Sequence, residues 1–173
     1  MYSREGEIIG LYINKKIEKG LSARDTIREI KKQGGIVYIP HPYEPYRKDT
    51  VLNDDALESN ILNVDCIEIH NGRNRKKFIS DNQKEICEKY NSIAVIGSDA
   101  HTFLELGRNY MILENIEKDK ILSSIKNSNI FSKKNCINIS HFFTKIARFI
   151  KILEKRDIYE LRRIINKKIK RNR

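Results

Sequence analysis

The sequence predicts an α/β fold built on a parallel sheet, and three observations carry that expectation. Short apolar runs rich in β-branched residues alternate with segments of helical period along the first 130 residues. The loops that join them are short. Each polar cluster also follows directly on the end of an apolar run, where ligands gather in sheets of this kind.

The elements follow in order. Residues 7–14 (Glu-Ile-Ile-Gly-Leu-Tyr-Ile-Asn) form a buried strand, being β-branched and aromatic without helical period. Ser22 is a candidate N-cap, with Asp25 three residues on as a variant capping box, and Gly34-Gly35 is the stop, framing a helix over 23–33. Residues 36–39 (Ile-Val-Tyr-Ile) are the second strand, ended by Pro40-His41-Pro42. A helix over 54–62 leads to a third strand at 66–69, closing on His70-Asn71-Gly72-Arg73. A helix over 75–90 leads to a fourth strand at 93–97, closing on Ser98-Asp99-Ala100-His101. A fifth short strand at 109–113 and a helix at 117–128 complete the body, and two tail helices are expected over 140–154 and 158–171.

At 173 residues and 20.4 kDa the chain fits one domain with an appendage. Residues 1–130 hold 20 basic and 20 acidic side chains, whereas residues 131–173 hold 14 Lys and Arg against 3 Asp and Glu, which is the whole net charge of +11. A neutral body (1–130) and a basic helical tail (131–173) are the expected division. Ile outnumbers Leu by 29 to 11 and Asn stands at 16, so part of the Lys count reflects a general bias toward Ile, Asn and Lys. No apolar run approaches the roughly 18–20 residues of a membrane span, and the first residues have no signal-peptide core. Cys66, Cys87 and Cys136 form no C-x-x-C pair, which points away from disulfide frameworks and zinc knuckles and toward a reduced, cytoplasmic setting.

Three histidine-containing loops hold the candidate chemistry. His41, between two prolines at a strand end, is either a rigidly placed metal ligand or a loop histidine packed on Tyr43 or Tyr46. Asp99 and His101 are two apart in an extended loop and point to one side, so they can bind one metal, or else form an Asx-turn with a surface histidine. His70 precedes Asn-Gly and reads as structural, and His141, beside Phe142 and Phe143, reads as packed.

These blocks, Pro40-His41-Pro42, Glu68-Ile69-His70-Asn71-Gly72-Arg73 and Gly97-Ser98-Asp99-Ala100-His101, resemble in order and spacing the later motifs of the polymerase and histidinol phosphatase (PHP) superfamily of metal-dependent phosphoesterases. The resemblance covers about residues 5–115 and implies part of a distorted (β/α)7 barrel with divalent metal (manganese, zinc or iron) at the strand ends. It implies His41, Asp99 and His101 as metal ligands, with Asp99 and His101 as catalytic groups. Glu7 stands where many family members place a ligand histidine, and is either a substitute ligand or a solvated strand-start residue. Arg73 and Arg47 are the candidate phosphate contacts, and Glu68 reads as structural. The family's opening His-x-His pair, a further histidine and a bridging Glu have no counterpart, so the chain reads as the C-terminal half to two-thirds of a PHP protein.

Two function classes follow. The first is a phosphoesterase acting on nucleotides, nucleic-acid ends or small phosphomonoesters, weakly active or inactive alone and completed by a separately encoded N-terminal segment. The second is a non-catalytic remnant that acts as an interaction or nucleic-acid-binding module through the basic run at 167–173. The first tail helix carries Phe142, Phe143, Ile146, Phe149, Ile150 and Leu153 at helical spacing and is expected to dock on the body or on a membrane surface.

Overall fold

A computed structural model describes residues 1–44, 47, 50–73, 81–114, 120–133 and 137–154. The second tail helix, the 167–173 basic run, Tyr46 and Cys136 lie outside the described residues.

The first strand, β1 (Ile9–Leu11), is shorter than the run from 7 to 14 that was expected. Helix α1 (Ala23–Lys32) starts where Ser22 Oγ accepts from the Asp25 amide at 3.0 Å and donates to Asp25 Oδ2 at 2.7 Å. It stops at Gly34, whose φ of +67° suits glycine. Then come β2 (Ile36–Ile39), α2 (Asp54–Asn60) with a 3-10 turn at Ile61–Asn63, β3 (Cys66–Asn71), α3 (Asp81–Tyr90) and β4 (Ile93–Gly97). Beyond these lie β5 (Asn109–Ile112), α4 (Ile121–Lys126), β6 (Asn129–Ser132) and α5 (Ile137–Glu154).

The main sheet has the order β1-β2-β3-β4. Its β2–β3 and β3–β4 pairs are parallel, as expected, but β1 runs antiparallel to β2, with Ile9 opposite Tyr38. The four strands do not close on themselves, so the described residues form an open sheet in place of the expected barrel segment. A second departure is β6, which pairs antiparallel with β5 and runs across residue 130, where the composition turns basic.

Period-2 alternation gives the inner strands β2 and β3 two buried faces. Val37, Ile39, Ile67 and Ile69 pack with Ile27, Ile30, Leu57 and Cys87 beneath α1, α2 and α3. Ile36, Cys66 and Val95 pack on the other face with Met111, Leu122 and Ile125. Burying an Ile side chain contributes about 1.5–3 kcal/mol, so these faces hold the strand ends in place. The β3–β4 register shifts between Glu68 and His70, leaving Ile69 as the extra residue of a bulge.

Candidate metal and phosphate cleft

The strand ends form a cleft of about 330 Å³ lined by Glu7, Tyr38, His41, Arg47, Glu68 and Asp99, with Asn71 at its side. Two of its residues, His41 (φ +35°) and Asp99 (φ +46°), hold left-handed backbone, a conformation that persists where the surroundings over-determine it and that clusters at functional sites.

Glu68 is the hub. Its buried carboxylate accepts from the Tyr38 hydroxyl at 2.9 Å, the His41 amide at 2.6 Å and Asn71 Nδ2 at 3.2 Å. Burial pushes its pKa up, against the pull of these three donors. Gly97 is needed beside it, because a Cβ there would lie 1.9 Å from Glu68 Oε1. The His41 loop is thus fastened by its backbone, and its ring is left for other work.

That ring is buried, with Nε2 3.4 Å from Glu7 Oε2 and Nδ1 lacking a hydrogen-bond partner among the described residues. Burial lowers its pKa, and the nearby Arg47 guanidinium lowers it further, although Glu7 opposes them. The neutral imidazole, the form able to bind a metal, is therefore favoured.

Arg47 Nη2 donates to Asp99 Oδ2 in a short ion pair and reaches Asn71 Oδ1 at 3.3 Å. Asp99 Oδ1 lies 3.5 Å from His101 Nδ1, which also donates to the Asp99 carbonyl at 2.8 Å. A carbonyl only accepts, so the proton sits on Nδ1 and Nε2 keeps its lone pair. The His101 ring is nearly half exposed and does not line the cleft.

Arg73, expected at the phosphate, is instead turned inward and buried. Its Nε donates to Glu105 Oε1 at 3.0 Å, and its Nη2 donates to Glu105 Oε2 at 3.1 Å and to Thr144 Oγ1 at 3.2 Å. Glu105 is fully buried and also accepts from the His101 amide at 2.8 Å and the Thr102 amide at 3.0 Å. Burial alone would raise its pKa, but Arg73 and these amides hold it down at about 2. Glu105 thereby fixes the loop that carries Asp99 and His101. It was not among the candidate residues, although Thr102-x-x-Glu105 is a readable capping box. His70 faces away from the cleft hub, with Nε2 3.0 Å from Ser132 Oγ.

The cleft thus holds Glu7 with His41 and, with them, Asp99, while the His101 ring stands outside its lining. Two donors about 2.0–2.2 Å from one ion in tetrahedral array stand about 3.3–3.6 Å apart. The Glu7–His41 separation falls in that range, whereas the 3.5 Å from Asp99 runs to the proton-bearing Nδ1 of His101, whose lone pair is on Nε2. Carboxylate oxygens and imidazole lone pairs are donors that suit a divalent ion such as manganese, zinc or iron. Among the described residues no group of three or more His, Cys, Asp or Glu converges to hold one.

The family described as PHP-associated matches residues 81–130, the stretch from α3 to β6. A two-domain protein of Bacteroides vulgatus containing a predicted PHP-like metal-dependent phosphoesterase shares the fold, with a TM-score of 0.51 at 15% identity over 72% of this chain and 40% of that one. Residues 81–130 thus match the PHP-associated family, and the fold is that of this PHP-like neighbour. PsfC from Pseudomonas syringae shares the fold too, with a TM-score of 0.55 at 14% identity over 81% of this chain and 65% of that one. The uncharacterized protein MJ0417 of Methanocaldococcus jannaschii is 33% identical over 127 residues, covering 70% of this chain and 53% of its own. The chain thus spans about half the length of that curated relative. No helix among the described residues is long and apolar enough to cross a membrane.

Proposed function

We propose that this domain is a PHP-type metal-dependent phosphoesterase for small phosphate monoesters or nucleotides, in which Glu7, His41, Asp99 and His101 hold a divalent manganese, zinc or iron ion. The observation that carries the reading is the 3.4 Å approach of Glu7 Oε2 to His41 Nε2 in the cleft that Asp99 also lines. A bound ion supplies an acidified water and a Lewis acid for the phosphoryl oxygens. The chain's own residues do the rest. Glu68 positions His41, Glu105 positions the Asp99–His101 loop, and Arg47 supplies the guanidinium for a phosphoryl oxygen. Asp99 and His101 are the groups assigned to proton delivery to the leaving oxygen.

We further propose that a separately encoded N-terminal PHP segment completes the coordination, because the His101 ring stands outside the cleft lining that holds the other three donors. The chain alone should then hydrolyse p-nitrophenyl phosphate poorly in manganese or zinc, and the added segment should restore turnover that His101→Ala abolishes. The direct test is manganese binding to the 173-residue chain by calorimetry. His41→Ala and Asp99→Asn should each weaken it by about tenfold or more. Binding that neither substitution alters would sink the reading.

One observation favours the alternative, a non-catalytic module. Arg47 already neutralises Asp99, which is what a cleft organised without a metal would do. Under that reading manganese does not bind at all.

A further inference from the structure

Helix α5 uses its two sides differently. At about 100° per residue, Thr144 and Ile152 fall on one side. Thr144 Oγ1 accepts from the buried Arg73, and Ile152 is itself buried, so this side moors the helix to the body. Phe142, Phe143, Ile146, Phe149 and Ile150 form a stripe about 120° wide, centred about 160° from the moored side. All five are exposed, from 39% to 61%. The larger apolar face of the helix thus points away from the body that the helix rests on. Stripes of this size on a surface mark an interaction site.

Charge selects the partner. Lys145 stands about 40° beyond one edge of the stripe and Lys151 about 80° beyond the other, both exposed, and the segment from 131 to 173 carries 14 basic side chains against 3 acidic ones. A second copy laid on the stripe would bring two such segments together and oppose like charges. An anionic surface with an apolar interior complements both the rings and the lysines. The helix has 18 residues and does not meet the length and apolarity of a membrane span, so it suits lying in the plane of a bilayer.

We propose that α5 is an interfacial helix that docks this domain on anionic lipid, with Phe142, Phe143, Ile146, Phe149 and Ile150 entering the boundary between headgroups and acyl chains. The docking is independent of the chemistry in the cleft.

The test is co-sedimentation of the full chain with vesicles of phosphatidylcholine alone and of phosphatidylcholine mixed with phosphatidylglycerol. The chain should sediment with the anionic vesicles, more weakly as salt is raised, and remain in solution with the neutral ones. Phe142→Ser combined with Phe149→Ser should cut anionic-vesicle binding by about tenfold or more, with an unchanged thermal melt because both sites are exposed. Lys145→Glu with Lys151→Glu should weaken it as well. Failure to bind either vesicle, or binding that survives the double serine change, overturns the proposal. So does a concentration-dependent dimer that the serine variant abolishes, which would assign the stripe to a second copy. Preferential capture by a DNA duplex, unaffected by the serines, would assign the basic segment to nucleic acid and overturn it equally.

Discussion

The Glu68 carboxylate reaches from the middle of β3 to the backbone amide of His41, 2.6 Å away, and so ties the end of one strand to the interior of its neighbour. The same oxygen accepts from Asn71, and the other accepts from Tyr38. Glu68→Ala leaves three donors without their acceptor and is expected to cost about 3 kcal/mol in urea unfolding. Glu68→Gln can keep its oxygen on the His41 amide and turn its NH₂ to the Tyr38 oxygen, so it should cost less than half as much. Equal losses for the two substitutions would show that the carboxylate does not act through these bonds.

Gly97→Ala forces a methyl group into Glu68 Oε1. A free glutamate would swing aside cheaply, but this one is buried and held by three donors. A loss of about 2–3 kcal/mol is expected, and manganese affinity should fall with it because the His41 loop moves. A Gly97→Ala chain with an unchanged melting temperature would refute the close packing.

Glu105 links stability to acid. Its pKa falls from 4.5 toward about 2 on folding, so the unfolded chain binds more protons between those values. Its contribution, on the order of 3 kcal/mol, is complete above about pH 4.5 and is lost as the pH falls toward 2. Glu105→Gln should destabilise the protein at neutral pH and flatten the stability profile in that acid window. A variant profile parallel to that of the parent would contradict the pairing with Arg73.

Arg47 occupies the Asp99 oxygen that a metal ion would need. If the cleft binds a divalent ion, Arg47→Gln removes a cation from beside it and should tighten manganese binding by on the order of tenfold, measured by calorimetry at low salt. Turnover by the completed enzyme should fall in the same variant, since the guanidinium no longer meets the phosphoryl oxygen. Weaker manganese binding would show that Arg47 organises Asp99 for the ion and does not exclude it.

The sequence conveyed the local signals well. Ser22 and Gly34 bracket α1 because a cap and a positive φ are written in single residues. The runs at 36–39 and 66–69 became strands with both faces buried, and 93–97 did so with Val95 buried and its neighbours half-buried. Direction was less legible. A three-residue strand has the same period whichever way it runs, so the antiparallel setting of β1 left no mark in the pattern. β6 escaped notice because all four of its residues are exposed, and only its pairing with β5 makes it a strand. In the cleft, the candidate ligands were readable as motifs. The inward turn of Arg73 was not, because Glu105 lies 32 positions along the chain.

The extra residue in β3 works as a parity switch. On an even strand Glu68 and His70 would share a face and Asn71 would oppose them. With Ile69 inserted, Asn71 comes opposite Gly97 as Glu68 does opposite Val95, and His70 is sent to the other side toward Ser132. The cleft therefore contains an amide where an unbroken strand would have placed an imidazole. Deleting Ile69 would make the pairing regular and keep Asn71 on the face of Glu68, whereas keeping Ile69 in an even ladder would bring His70 round and remove the amide that steadies Arg47. The count of nitrogen donors in the cleft is thus set by a single backbone irregularity as much as by the choice of side chains.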